Sequence, residues 1–137
     1  VINTHFDHVG DEARAQSAAL LVKKLRQEFD DHPVILTGDF NTLPGTDPYV
    51  TMTSPSKEPG RSFQDAKSVS TTDPAGPDST WCGFESIVPG RRIDFIFVTP
   101  GVKVRSHRTL TDRREGRFPS DHLPVKAEVQ LPGNQGN

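Results

Sequence analysis

Cysteine is nearly absent from this chain, and so are long hydrophobic runs. The single cysteine, Cys82, excludes an internal disulfide bond, and we interpret it as a small buried apolar residue. No stretch approaches the roughly 18 apolar residues of a membrane-spanning helix, so no membrane span is predicted. Neither an initiator methionine nor a charged leader before an apolar core is visible, and localisation stays unknown.

An excess of charge of one sign is also lacking. Sixteen Lys and Arg against eighteen Asp and Glu give a formal net charge of −2, which predicts no general attraction to nucleic acid or to an anionic membrane. A local basic rim and an ordinary solvated surface both fit the arginines of the C-terminal half: Arg91, Arg92, Arg113, Arg114 and Arg117. With 137 residues, 12 prolines and 11 glycines, the chain forms at most one domain with many turns.

The first third of the chain predicts a strand, a helix and a second strand. Residues 1–6 read as the end of a strand, and Asp11 is the predicted N-cap of the helix. The apolar face of that helix follows steps of three and four residues: Ala18, Leu21, Val22, Leu25 and Phe29. The segment 30–33 ends the helix because it contains a proline, and the apolar run 34–37 is typical of a strand buried on both faces.

The middle of the chain is polar. A short helix is predicted from Asp47 to about Met52, with proline in its first turn. Residues 53–79 then read as a long surface excursion, anchored by two large apolar residues, Phe63 and Val69, and containing a helical turn near Asp65.

The last third alternates between apolar and polar residues and predicts strands at 93–98, 102–107 and 125–131. The core face of the final strand is predicted to hold Val125, Ala127, Val129 and Leu131.

Three histidines are interpreted as surface residues: His8, His32 and His107. Residues 132–137 are predicted to be a disordered tail. A strand, long helix and buried strand followed by antiparallel candidates favour a mixed α/β (α+β) layered domain.

Short carboxylate motifs stand where strands meet loops. Residues 38–41 read Gly-Asp-Phe-Asn, and residues 120–122 read Ser-Asp-His. The segments 3–7 and 92–95 add a histidine and a further aspartate. Hydrolysis of a phosphoester requires a hard divalent ion, an oriented water and donors to the phosphate oxygens. Because Mg²⁺ takes carboxylate and water oxygens, the four segments together predict metal-assisted hydrolysis.

The individual residues keep simpler interpretations as well. Asp39 and Asn41 lie two apart and can point into one cleft, although Asp39 also fits an ordinary turn. His5 can move a proton or bind phosphate, or act only as a structural hydrogen-bonding group. Asp94 lies in an apolar strand and requires a partner, for which His122 is the candidate.

These four motifs, in this order across positions 3 to 125, resemble the endonuclease/exonuclease/phosphatase superfamily. The helix with Arg14 and Gln16 is most similar to bacterial-type metal-dependent hydrolases of that group. The resemblance implies the deoxyribonuclease-I-like fold, a four-layer αββα sandwich, with Mg²⁺ or Mn²⁺ at one end.

The resemblance also implies roles for particular residues. The catalytic set is His5, Asp39, Asn41, Asp94 and His122. The metal is expected on Asp121 and Asp39. The substrate is expected to contact Asn41, Trp81 and Arg92, although Trp81 also fits simple core packing.

One departure from the superfamily is large. Its members carry an Asn and the principal metal-binding Glu in an N-terminal half, whereas residues 1–131 match only the C-terminal part of the domain. We therefore expect these 137 residues alone to bind metal weakly and to have little activity without that missing partner half.

Several functions stay open at this stage. The phosphoester substrate can be a nucleic acid, a lipid headgroup as in sphingomyelinase-like phosphodiesterases, or a small phosphorylated molecule. A non-catalytic binding domain that retains the fold is the alternative from another class. A calcineurin-type dimetal phosphatase would need further His and Asp motifs that the sequence does not show.

Overall fold

A computed structural model of the chain describes residues 1–29, 32–55 and 61–133. The elements in chain order are β1 (Ile2–His5), α1 (Asp11–Glu28), β2 (Ile35–Asp39), α2 (Asp47–Thr53), β3 (Gln64–Asp65), β4 (Asp94–Val98), β5 (Lys103–Thr109) and β6 (Val125–Gln130). Most of the predicted tail, residues 134–137, lies outside the described residues.

The described strands form two sheets. The larger has the order β1-β2-β4-β3, and β5 pairs with β6 in the smaller one. Strands β1 and β2 are parallel, as expected for a connection through a helix, whereas β4 runs antiparallel to β2 and to β3. The register places His5 beside Asp39 and Asp39 beside Asp94. Three motif residues thus meet at one end of the large sheet.

One face of the large sheet is covered by the helices. The core on this side contains Phe6, Ala18, Val22, Leu25, Val34, Leu36, Phe40, Met52, Phe63, Phe95 and Phe97. The apolar stripe predicted for α1 is confirmed, because its buried residues are Ala18, Val22 and Leu25. Phe63 also anchors the middle segment as predicted, being only 1% exposed.

The other face of the large sheet packs against the small sheet. Val98 and Val104 are buried there, and Ile96, Ala127 and Val129 pack against them. The layers among the described residues therefore run helix, sheet, sheet, which are three of the four predicted layers. None of the helices in these ranges is long and apolar enough to cross a membrane.

Two local predictions were wrong. The N-cap of α1 is Gly10 rather than Asp11, because the Asp7 carboxylate accepts the main-chain N–H groups of Val9 and Gly10 and turns the chain one residue earlier. Leu131, predicted on the core face, is 53% exposed, since the pairing of β6 ends at Gln130. A single turn is present near Asp65 as predicted: directly after the short strand β3, the Asp65 carbonyl accepts the main-chain N–H groups of Ser68 at 2.9 Å and Val69 at 3.1 Å.

His107 was predicted at the surface, but it is buried, with 3% of its surface exposed. The pairing of β5 with β6 shifts between Val104 and Ser106, as at a β-bulge, and this brings His107 inward where simple alternation would place Ser106. Neither ring nitrogen has a hydrogen-bond partner within the described parts of the chain. Burial, reinforced by the positive charge of Arg92, lowers the pKa of His107 to about 4.

Candidate active site

The site begins at the end of the large sheet, where β1 and β2 finish and β4 starts. Gly38 allows the close approach that this arrangement needs: its φ is +152°, and a β-carbon there would lie 1.9 Å from the carbonyl oxygen of Thr4. No other residue fits at this position without moving β1. The next residue, Asp39, then lies between His5 and Asp94.

Asn41 and Asp39 form one hydrogen-bonded unit. The Asn41 main-chain N–H donates to Asp39 Oδ1 at 2.8 Å, while its side-chain Nδ2 donates to Asp39 Oδ2 at 3.2 Å and to the carbonyl of Phe6 at 3.0 Å. Asn41 has a φ of 45°, a left-handed conformation that asparagine tolerates better than most residues. The turn therefore fixes the orientation of the Asp39 carboxylate.

His122 is held between two carboxylates. Its Nδ1 lies 2.8 Å from Asp94 Oδ2, and its Nε2 lies 3.8 Å from Asp39 Oδ2. On the other side, His5 Nε2 lies 3.3 Å from the same Asp39 oxygen. The predicted partnership of Asp94 with His122 is confirmed, and it leaves the Nε2 edge of His122 facing the cleft.

Residues 79–83 connect this histidine to β4. The hydroxyl oxygen of Thr80 accepts the main-chain N–H groups of Ile93 at 3.0 Å and Asp94 at 3.1 Å, and its carbonyl accepts the N–H of Leu123 at 2.7 Å. Trp81 pairs with His122 along the backbone, and the two rings meet edge to face at 4.8 Å. Thr80 and Trp81 were interpreted from the sequence as core packing or as a pocket wall, and the hydrogen bonds that Thr80 makes to β4 were not predicted.

Electrostatics favour a cation here. Burial raises the pKa of Asp94, and the nearby charge of Asp39 raises it further, while hydrogen bonds from Thr80 and His122 act in the opposite direction. Ligand atoms of Asp39, Asp94 and His122 all lie within 4.8 Å of one another. The two carboxylates supply the oxygen ligands that Mg²⁺ or Mn²⁺ prefers, and a bound cation would relieve the repulsion between them.

A cavity of about 370 Å³ opens onto this group. It is lined by His5, His8, Asp39, Asn41, Trp81, Arg91, Ile93 and His122. A second cavity of about 510 Å³ adjoins it and shares two of these residues, Asn41 and Arg91. Five predicted site residues therefore line the first cavity: His5, Asp39, Asn41, Trp81 and His122.

The structure does not bring Arg92 to the cleft. This residue is only 6% exposed, its guanidinium lies 2.6 Å from the Asp65 carboxylate, and it stacks 4.6 Å from the centre of the Phe95 ring. The predicted substrate contact of Arg92 is therefore not supported by its position, because its guanidinium is already engaged by Asp65 and by the Phe95 ring. The neighbouring Arg91 lines the cleft instead.

Asp121 is likewise outside the group formed by Asp39, Asp94 and His122. Its carbonyl accepts the main-chain N–H groups of Cys82 at 2.8 Å and Gly83 at 3.0 Å, which holds the loop against residues 79–83. A direct bond from Asp121 to the metal stays a prediction.

The layered sheets, with Asp, Asn and His side chains at one end, define an α/β domain of the deoxyribonuclease-I-like class. The sequence profile of the Endonuclease/Exonuclease/phosphatase family matches residues 2–122. The chain belongs to that family.

Solved structures and one curated protein are similar to the chain. A family member from Bacteroides vulgatus is 38% identical with a TM-score of 0.80, over 93% of this chain and 47% of that one. A mannosyl-6-phosphatase of Bacteroides thetaiotaomicron VPI-5482 is 34% identical with a TM-score of 0.78, over 94% of this chain and 50% of that one. A probable exoribonuclease subunit of the CCR4-Not complex from Encephalitozoon cuniculi is 27% identical, over 96% of this chain and 31% of that protein.

The chain thus spans about half the length of these solved structures and about a third of the curated relative. The predicted match to only part of a domain agrees with this coverage.

Proposed function

We propose that this chain forms part of a phosphoester hydrolase that depends on Mg²⁺ or Mn²⁺. The observation that carries the proposal is the 2.8 Å contact between Asp94 and His122, with the far nitrogen of the same ring 3.8 Å from Asp39. A carboxylate behind a histidine sets its tautomer and stabilises its charged form, as general acid–base chemistry requires.

Each residue then has a defined task. Asp94 accepts the Nδ1–H of His122, so that Nε2 can exchange a proton with a water or a phosphate oxygen in the cleft. Asp39, oriented by Asn41, accepts a hydrogen bond from the attacking water or holds the cation, and Asn41 Nδ2 supports its carboxylate. His5 can stabilise a phosphate oxygen from the opposite side. A cation held by Asp39 and Asp94 would supply charge neutralisation at the phosphate.

The substrate class is open between three candidates. Similarity to a mannosyl-6-phosphatase supports a small phosphorylated molecule, and the formal net charge of −2 agrees with this because it provides no general attraction to a polyanion. Similarity to a probable exoribonuclease supports an RNA substrate. A lipid headgroup is a further possibility from the family. A purely binding role is disfavoured by the complete Asp–His–Asp arrangement.

The test uses the full-length protein with Mg²⁺ or Mn²⁺ on a panel of sugar phosphates, RNA, DNA, phospholipids and nucleotides. We expect turnover on at least one member, lost after addition of EDTA and in Asp39→Ala. Equal turnover by the wild type and Asp39→Ala would refute the assignment of the site. Binding of a panel member without turnover would support the non-catalytic alternative.

The 137-residue chain provides a second measurement. We propose that it needs the other half of the domain for full activity, so a calorimetric titration should show weak Mg²⁺ binding. Strong Mg²⁺-dependent cleavage by the isolated chain would contradict this part of the proposal.

A further inference from the structure

We propose that Arg91 forms a binding site for the phosphoryl group of the substrate at the wall between the two cavities. No motif of the sequence singled out this residue as a substrate contact; the inference rests on the proposed function for its choice of ligand. Arg91 lines both the 370 Å³ cavity and the 510 Å³ cavity. A phosphoryl group bound there would face His122 and Asp39, while the rest of the substrate has room in the second cavity.

The orientation of Arg91 follows from that of its neighbour. Arg92 is held inward by Asp65 and by the Phe95 ring. Arg91 is exposed and lines both cavities, whereas Arg92 is buried, so the two adjacent side chains lie on different sides of the segment. The buried ion pair therefore acts as an anchor for the exposed arginine beside it.

The backbone of Arg91 is tied to the catalytic histidine. Its carbonyl accepts the main-chain N–H groups of Thr80 at 3.0 Å and Trp81 at 3.1 Å, and its own N–H donates to the Ser79 hydroxyl at 3.2 Å. Trp81 in turn pairs with His122. Because one short segment holds both residues, the distance of Arg91 from His122 is set by the fold rather than by a mobile loop.

The charges of the residues that line the cleft favour a role for Arg91 in anion binding. Among the residues described as lining the 370 Å³ cavity, it is the one with a permanent positive charge, since the others are neutral, acidic or histidine. No side-chain hydrogen bond or ion pair to Arg91 is found within the described ranges. A phosphate near the Asp39 carboxylate is repelled by it, and an unpaired guanidinium opposite offsets this repulsion at any pH near neutrality.

The experiment measures phosphate binding in the full-length protein, which requires no turnover. Inorganic phosphate is titrated by calorimetry into the wild type, Arg91→Gln, Arg91→Lys and the control Arg108→Gln, with circular dichroism to confirm folding. Arg108 is an exposed arginine of β5 away from the cleft, so its loss changes the net charge equally. We expect phosphate affinity to fall about 10- to 100-fold in Arg91→Gln, less in Arg91→Lys, and not in Arg108→Gln.

Three results would overturn the Arg91 site: unchanged affinity in Arg91→Gln, an equal loss in Arg108→Gln, or no phosphate binding by the wild type at millimolar concentration. Failure of the proposed function would look different. If phosphate binding depends on Arg91 but no phosphoester is hydrolysed, the anion site stands and the reaction does not. If hydrolysis is found and Arg91→Gln leaves both it and phosphate binding intact, the reaction stands and the anion site does not.

Discussion

Two histidines in different regions of the domain show how the same side chain acquires different roles. His122 stands at the end of the large sheet with 26% of its side chain exposed, between Asp94 and Asp39. His107 lies on the inner side of β5, 3% exposed, with no partner on either ring nitrogen among the described residues. The first region places a carboxylate within hydrogen-bonding distance of the ring, whereas in the second the Asp65 carboxylate lies near His107 without a hydrogen bond to it.

The difference shows that burial and hydrogen-bond partners, more than residue type, decide what a histidine can do. The carboxylate beside His122 holds Nδ1 of the ring and leaves Nε2 at the cleft, which suits proton transfer. Near His107 the charges are those of Arg92, Asp65 and Lys67, and burial outweighs them, so the ring stays neutral near pH 7. Chemistry is therefore expected from the first region and only stability effects from the second.

The largest expected effect is on activity in the first region. His122→Ala in the full-length protein should lower turnover by about 10²- to 10⁴-fold, because the residue that exchanges the proton is lost. Its stability should also fall, by about 1–3 kcal/mol, because the partly buried Asp94 carboxylate loses its hydrogen-bond partner. Steady-state rates and a denaturant titration check both statements. His32→Ala, which removes an exposed histidine outside the cleft, serves as the control, and an equal loss of rate in that variant would contradict the assignment.

The next largest effect is expected from breaking the buried ion pair between Asp65 and Arg92, which lies near His107. Asp65→Asn leaves the buried Arg92 guanidinium without its counter-charge, which should lower the free energy of unfolding by about 3–5 kcal/mol. The matched control is Asp78→Asn. Asp78 pairs with Lys67 but has 70% of its side chain exposed, so its loss should change stability by less than about 1 kcal/mol. If urea denaturation gives the two variants a similar loss in the free energy of unfolding, the buried ion pair is not important for stability.

The third effect concerns acid stability. The pKa of His107 is about 4 in the folded state and 6.5 ordinarily, so the unfolded chain takes up its proton first. This group therefore leaves the free energy of unfolding unchanged well above pH 6.5. The free energy of unfolding decreases as the pH falls, with a total loss of about 3 kcal/mol below pH 4. Denaturation of the wild type and of His107→Leu across this range measures it.

His107→Leu should show a smaller decrease over the same pH range because it has no group to protonate. A parallel decrease in both proteins would assign the acid effect to other groups.

The smallest effect tests the link between residues 79–83 and the first region. Thr80→Val removes the acceptor for the N–H groups of Ile93 and Asp94 and should lower stability by about 1–3 kcal/mol. Thr80→Ser keeps the hydroxyl and should stay closer to the wild type. A loss of stability in Thr80→Ser with none in Thr80→Val would show that packing of the threonine methyl group, rather than its hydroxyl, is responsible.

Much of the site could be predicted because its motifs carry strong local signals. Asp94 within an apolar strand required a partner, and the end of a strand at Asp39 with Asn41 two residues later indicated a shared cleft. The prediction placed Arg92 in the cleft, but Arg92 is buried and the adjacent Arg91 lines the cavity, since nothing in two adjacent arginines tells which one points inward. That choice depends on Asp65, which lies 27 residues earlier in the chain.

The sequence by itself determined the strands, the amphipathic helix and the residue types available for chemistry, because hydrophobic periodicity and burial of charge act over short distances. The tertiary structure alone decided which of them meet. The register of β1, β2 and β4 aligned His5, Asp39 and Asp94, and residues 79–83 carried His122 to them. The irregular pairing in β5 turned His107 inward. Such outcomes depend on contacts between distant segments, whose geometry no local pattern encodes.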